Sequence, residues 1–220
     1  MDSSHDEILL KRQKRGEIVV RYLKKLYPNA KIVLNYSNNW ELLVAVVLSA
    51  QCTDKMVNKV TEKLFKKYCS LDDYANANIN EFEQDIRSTG FYRNKAKNIL
   101  KAALIVKREF GDKVPDTMEE LLTLPGVARK TANIILGNAF GKVQGIAVDT
   151  HVRRLSQKFG LTCENDPVKI EKDLMLILPK KEWFTFTYRM IEYGRNRSPA
   201  YKRNVNDDPV SQELSKRNLL

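Results

Sequence analysis

The sequence predicts an all-α fold, and three observations predict it. Apolar residues recur at helical spacing in segment after segment, capping residues stand where those segments begin, and strand signals are few. Asn38, with Glu41 three residues on, makes a capping-box pattern and opens a very apolar helix over 40–50. Over 54–68, Met56, Val57, Val60, Leu64, Phe65 and Tyr68 share one helical face. Over 95–110 the face is Ala96, Ile99, Leu100, Ala103 and Val106, and Gly111 supplies the stop. Ala132, Ile135, Leu136, Ala139 and Phe140 define a further helix over 129–140. Asp149 is placed to cap a helix reaching Phe159, with Gly160 ending it. Asp166-Pro167, a cap followed by proline at the first helical position, opens one that stops near Pro179. Lys31–Leu34 and Gly145–Val148 are short strand-like runs, and neither has a hairpin partner at turn spacing. Roughly nine or ten helices joined by short loops are expected, in one lobe or in two lobes interleaved along the chain.

Composition narrows the class. The 220 residues carry 38 Lys+Arg against 27 Asp+Glu, a formal charge of +11, and 43% are hydrophobic. That apolar share builds a folded interior and excludes intrinsic disorder, while the basic surplus points to a polyanionic partner. The longest apolar run, Leu42–Leu48, is too short to cross a bilayer. Asp2, His5, Asp6 and Glu7 precede only a brief Ile8-Leu9-Leu10 stretch, unlike a secretory signal. The chain is therefore expected to stay in the compartment where it is made, with no membrane partner. Cys52, Cys69 and Cys163 are odd in number, widely spaced and without a CxxC pair. They are expected to be reduced, mostly buried thiols that bind no metal.

Residues 124–132 read Leu-Pro-Gly-Val-Ala-Arg-Lys-Thr-Ala. One helix ends before Leu124, Pro125-Gly126 forces a turn, and the next helix starts at once. Such a turn aims the N–H groups of a helix N-terminus outward, a seat for phosphate that ignores base sequence. An ordinary helical hairpin reads the same way, and on the turn alone that plainer reading leads. Val148-Asp149-Thr150-His151-Val152 follows, where Asp149 also reads simply as a helix cap.

Four stretches together resemble the helix-hairpin-helix DNA glycosylases, most closely their endonuclease III branch. These are Leu48–Asp54, Thr89–Ala96, Leu124–Ala132 and Ile146–Val152, within a resemblance running from about Arg21 to Tyr201. The resemblance implies two helical lobes with a DNA-binding cleft between them. One would be residues 31–143; the other would combine 1–30 with 144–220. It implies Lys130 as the nucleophile and Asp149 as the essential aspartate. Gln51 would fill the hole left by an extruded nucleotide, and Phe91 stands where the family usually inserts an aliphatic wedge. Ala128 replaces the second glycine usual in the hairpin. DNA contacts are implied at Leu124, Gly126, Val127, Ala128 and Arg129, at Thr150 and His151, and at Lys202 and Arg203.

The chemistry suits these residue types. A damaged base must leave the stack before its glycosidic bond can break, and Gln51 and Phe91 would offset that cost by refilling the gap. Asp149 would stabilise the positive charge developing on the sugar. An amine that attacks C1′ gives a Schiff base and then β-elimination, so a lysine makes the reaction both excision and strand scission. The mismatch-adenine relatives usually lack a lysine there. A free lysine is almost wholly protonated at neutral pH, and Asp149 is the expected proton acceptor. The expected substrate is double-stranded DNA carrying oxidised pyrimidines or abasic sites, handled by a monomer, in the cytoplasm if the source is bacterial. The competing readings are a non-catalytic helix-hairpin-helix DNA binder, which needs neither Lys130 nor Asp149, and a helical scaffold for an acidic protein.

The family usually continues with four cysteines holding a [4Fe–4S] cluster. Aligned through Tyr193-Gly194-Arg195, those positions fall on Ser198, Val205, Asp208 and Leu214. No thiolate is among them, so the cluster is expected to be absent, with no other cofactor. Apolar packing should hold that lobe instead, with Ile8, Leu9, Val19, Tyr22 and Leu23 against Leu174, Leu176, Ile177, Trp183 and Phe186.

Overall fold

A computed structural model describes residues 3–200 and 208–220. Those residues contain helices and no strand. The helix α1 (Ser3–Leu26) is followed by α2 (Asn39–Leu48), α3 (Asp54–Lys67), α4 (Leu71–Ala75), α5 (Ile79–Asp85), α6 (Tyr92–Glu109), α7 (Met118–Leu121) and α8 (Arg129–Phe140). Then come α9 (Thr150–Lys158), α10 (Pro167–Ile177), α11 (Trp183–Asn196) and α12 (Pro209–Lys216), with 3₁₀ turns at Arg87–Thr89 and Lys180–Glu182. The two strand-like runs lie in connections between helices. None of these helices is long and apolar enough to cross a membrane. The chain divides into two compact units, Val33–Gln144 and Met1–Ile32 with Gly145–Leu220.

In the first unit, α2 is the central helix. Leu42 through Leu48 are all buried, so the helix is apolar all round, as a core helix must be. It packs on α3, α6 and α8. The Asn38 side chain accepts the Glu41 N–H at 2.9 Å, while the Glu41 carboxylate reaches back to Ser37 N–H at 2.6 Å. The capping box therefore closes one residue earlier than its usual form. Tyr68, Tyr74 and Phe82 form a three-ring cluster under α4 and α5, with centroids 5.2–5.8 Å apart. The helix over 95–110 begins earlier than expected, at Tyr92, because its first intrahelical bond runs from Lys95 N–H to Phe91 C=O.

In the second unit, α1 packs against α10, α11 and α12. Val19, Leu23, Leu174, Ile177 and Phe186 lie in its core, with Leu9, Tyr22 and Trp183 half-buried against it. Ile8 and Leu176 do not join them, at 53% and 69% exposure. Core-facing positions on α10 are Ile170, Leu174 and Ile177, and Leu176 lies about 200° around the helix from Leu174. On α1, Leu9 rather than Ile8 makes the apolar contact.

This core also contains charge. Glu182 is buried between Arg189 and Lys24, at 2.6 and 3.1 Å. Burial works to raise its pKa, yet the two cationic hydrogen bonds prevail and hold it below the usual carboxylate range. The three thiols depart from expectation. All are free, but Cys69 and Cys163 are exposed and Cys52 is half-buried. Each lies in an interhelical connection, and connections run over the surface.

Candidate functional site

The α7–α8 hairpin turns where Pro125-Gly126 requires it. Gly126 has φ +80°, and a Cβ there would come within 3.1 Å of Asn98, so both backbone conformation and space call for glycine. Ala128 has φ −95° and ψ 171°, extended backbone that any residue adopts. Its substitution for glycine therefore carries no conformational cost. As the N-cap of α8 it offers no side-chain acceptor, and the first intrahelical bond runs from Ala132 N–H to Ala128 C=O. The helix thus begins without the polar cap that α2, α3, α4, α5, α7 and α9 have. Leu124 and Val127 are buried, so their side chains belong to the core and only their backbone can serve a ligand. Arg129 and Lys130, in the first turn, are half-buried.

The second candidate segment opens α9. Asp149 is half-buried and accepts the Val152 N–H at 2.8 Å through Oδ1, so the helix-cap geometry is present. Thr150 is exposed and His151 half-buried. A Cβ at position 194 would collide with the His151 ring, which explains a glycine in the last turn of α11: the imidazole lies directly on its backbone.

Gln51 and Phe91 share an unusual backbone. Both are non-glycine residues in the left-handed region, at φ 53° and 48°. Gln51 is exposed, between the end of α2 and the Thr53 cap of α3. Phe91 stands at the start of α6 with 63% exposure, which excludes a core role for its ring. A bulky side chain held outward on a strained backbone suggests work done on a ligand. Sequence reasoning passed over Lys95, a buried lysine next to this pair. The signal was available: Lys95 lies four residues before Ile99, on the apolar face of α6.

The positions aligned with the family's cluster ligands do not fit an iron–sulfur centre. Asp208 is buried and bonded to Lys158 at 2.6 Å and to the Tyr193 hydroxyl. Burial pushes its pKa up, but Lys158 and Tyr193 outweigh that and hold it below the usual range. Ser198 Oγ accepts from the same Lys158 at 3.0 Å, and its carbonyl accepts from Arg154. Leu214 is fully buried in apolar surroundings. An ion pair and a leucine occupy what thiolates would need to fill. Val205, Lys202 and Arg203 lie outside the described residues. Among the described residues no cluster of His, Cys, Asp or Glu could hold a metal ion.

Comparison with known proteins gives this geometry a context. Residues 44–180 match the HhH-GPD superfamily of base excision DNA repair proteins. The chain is 51% identical to endonuclease III of Synechocystis over 89% of either chain, and 44% identical to that of Bacillus subtilis over 90% of either. It superposes with a TM-score of 0.87 on a trapped endonuclease III–DNA covalent intermediate, at 43% identity, covering 94% of this chain and 98% of that one. The chain belongs to the HhH-GPD superfamily of base excision DNA repair proteins, in its endonuclease III branch.

Proposed function

We propose that the chain is a bifunctional DNA glycosylase and abasic-site lyase, removing oxidised pyrimidines from duplex DNA, with Lys130 as nucleophile and Asp149 as its partner. The observation that carries this reading is the position of Lys130. It is the second residue of α8, directly behind a Pro-Gly turn whose helix end has no side-chain cap. Phosphate seated on those N–H groups would hold the backbone beside the amine. We take the two compact units as the family's two lobes, and the place of action as the compartment that holds DNA, the cytoplasm in a bacterium.

Asp149 accepts a proton from the Lys130 ammonium, freeing its electron pair. That pair forms a bond to C1′ as the glycosidic bond breaks; the departing base leaves with the bond's electrons, and the proton Asp149 took up passes through solvent to it. Once that proton has passed on, the Asp149 carboxylate offsets the positive charge on the aminated sugar. The bound amine gives a proton to the ring oxygen as the sugar ring opens, which leaves an iminium between Lys130 and C1′ and acidifies the C2′ proton. Loss of that proton expels the 3′ phosphate, and water then hydrolyses the iminium and releases Lys130.

Borohydride reduces an iminium to a stable amine, so it traps the intermediate. Lys130→Gln should abolish trapping on an abasic duplex while leaving binding within about threefold; undiminished trapping overturns the assignment. The cap geometry at Asp149 supports a second, structural reading for that residue. Asparagine caps a helix as well as aspartate does. Asp149→Asn should therefore hold stability within about 0.5 kcal/mol while turnover falls about a hundredfold or more. A lowered melting temperature with turnover kept would leave Asp149 as a cap only.

A further inference from the structure

Lys95 is 5% exposed, in a unit whose other lysines reach solvent. Its ammonium donates at 2.8 Å to Leu48 C=O and at 2.8 Å to Thr89 C=O. Leu48 is the last residue of α2, and Thr89 the last of the 3₁₀ turn before Gly90. Each carbonyl is at a helical end that lacks its own continuing donor, and an ammonium is well suited to two such ends. Burial draws the Lys95 pKa down, a tendency the Cys52 thiol opposes in part.

The two bonded carbonyls lie just before two strained residues. Gln51 follows Leu48 by three positions, and Phe91 follows Thr89 by two; both have left-handed backbones. A third link is the backbone N–H of Lys95, which donates to Phe91 C=O at 3.1 Å. Left-handed backbone at a non-glycine residue costs free energy and persists only where surrounding bonds over-determine it. Lys95 supplies such bonds to both loops from a single buried atom.

We propose that Lys95 is a positioning residue for base extrusion, fastening the Gln51 and Phe91 loops into one two-pronged unit that enters the duplex. The inference rests on the reading that Gln51 and Phe91 act on DNA. Without the clasp, each loop would relax toward ordinary backbone, and the two side chains would no longer be held in register. The lysine itself touches neither the base nor the sugar. Its loss should be felt where unstacking a paired nucleotide is hard, and much less where the base is already missing.

The test compares single-turnover rates on two duplexes, one carrying thymine glycol opposite adenine and one carrying a preformed abasic site. Lys95→Met removes the donors and keeps the apolar stem. It should lower the ratio of excision to abasic cleavage at least tenfold, with affinity for undamaged duplex within about twofold. Lys95→Gln is shorter and reaches one carbonyl only; it should lower the ratio at least threefold, and it decides the matter if the methionine variant does not fold. In a background carrying both Gln51→Ala and Phe91→Ala, either substitution should change the ratio less than twofold, because both prongs it positions are gone. Equal slowing of both reactions, or the same effect with and without the two prongs, overturns the inference. If Phe91→Ala and Gln51→Ala leave the ratio unchanged, the reading of the prongs fails; if they lower it and the Lys95 variants do not, only the role of Lys95 fails.

Discussion

Phe91 combines two unfavourable features, a bulky side chain at φ 48° and a ring 63% exposed. The first costs about 1 kcal/mol or more relative to ordinary backbone, and the second forgoes burial. Phe91→Gly should relieve the backbone and stabilise the fold by about 0.5–1 kcal/mol, read as a higher urea midpoint. The same substitution should slow excision of a paired lesion more than cleavage at an abasic site. A destabilised protein with both reactions slowed alike would show that the ring serves the fold. The family motif made Gln51 and Phe91 legible in the sequence as candidates. Their backbone strain was not legible, because nothing local requires it; Lys95 and two helix ends impose it from outside the loops. Lys95 shows the converse, since its place on an apolar face was readable while its two carbonyl partners, 47 and 6 residues away, were not.

At the scale of the element, the start of α8 sets stability against function. A helix with a polar cap gains about 0.5–2 kcal/mol over one capped by alanine. Ala128 forgoes that gain and leaves the cap position without an acceptor. Ala128→Asp should raise the melting temperature through capping and the helix dipole, yet weaken binding to every duplex by setting a carboxylate where phosphate would sit. Stronger capping with unchanged DNA affinity, measured by salt titration, would remove this helix end from the interface. Helix positions were largely readable here because 129–140 combines apolar spacing with a Pro-Gly start. The expected DNA roles of Leu124 and Val127 narrow to their backbones, since both side chains turn into the core. A linear motif cannot separate a backbone contact from a side-chain contact.

Across the whole molecule, the second unit relies on buried carboxylates. Asp208 and Glu182 both titrate below their ordinary values of 3.8 and 4.5. A depressed folded pKa means that their stabilising contribution is complete above about pH 4.5 and is lost as pH falls through the lower, folded values. Thermal unfolding should show no loss from these groups between pH 5 and 8, then a steep fall below about pH 4. Asp208→Asn should cost about 3 kcal/mol, since breaking one side of a buried pair strands the other, and it should make the acid fall shallower. An unchanged acid profile would show that the Lys158–Asp208 pair does not hold this unit together. The purified chain should also carry no stoichiometric iron and unfold identically with and without a chelator; iron at one cluster per chain would contradict the assignment of Ser198, Asp208 and Leu214. The sequence by itself determined the all-α class, most helix starts and the family, because periodicity, caps and short motifs are local properties of the chain. It also determined that the cluster thiolates are missing. Only the tertiary structure decided that Ile8 and Leu176 stay outside the core, that Cys69 and Cys163 are exposed, and that Asp208 meets Lys158 fifty residues away. Those outcomes depend on which surfaces meet when helices pack, and helical spacing fixes the face of each helix without fixing its neighbour.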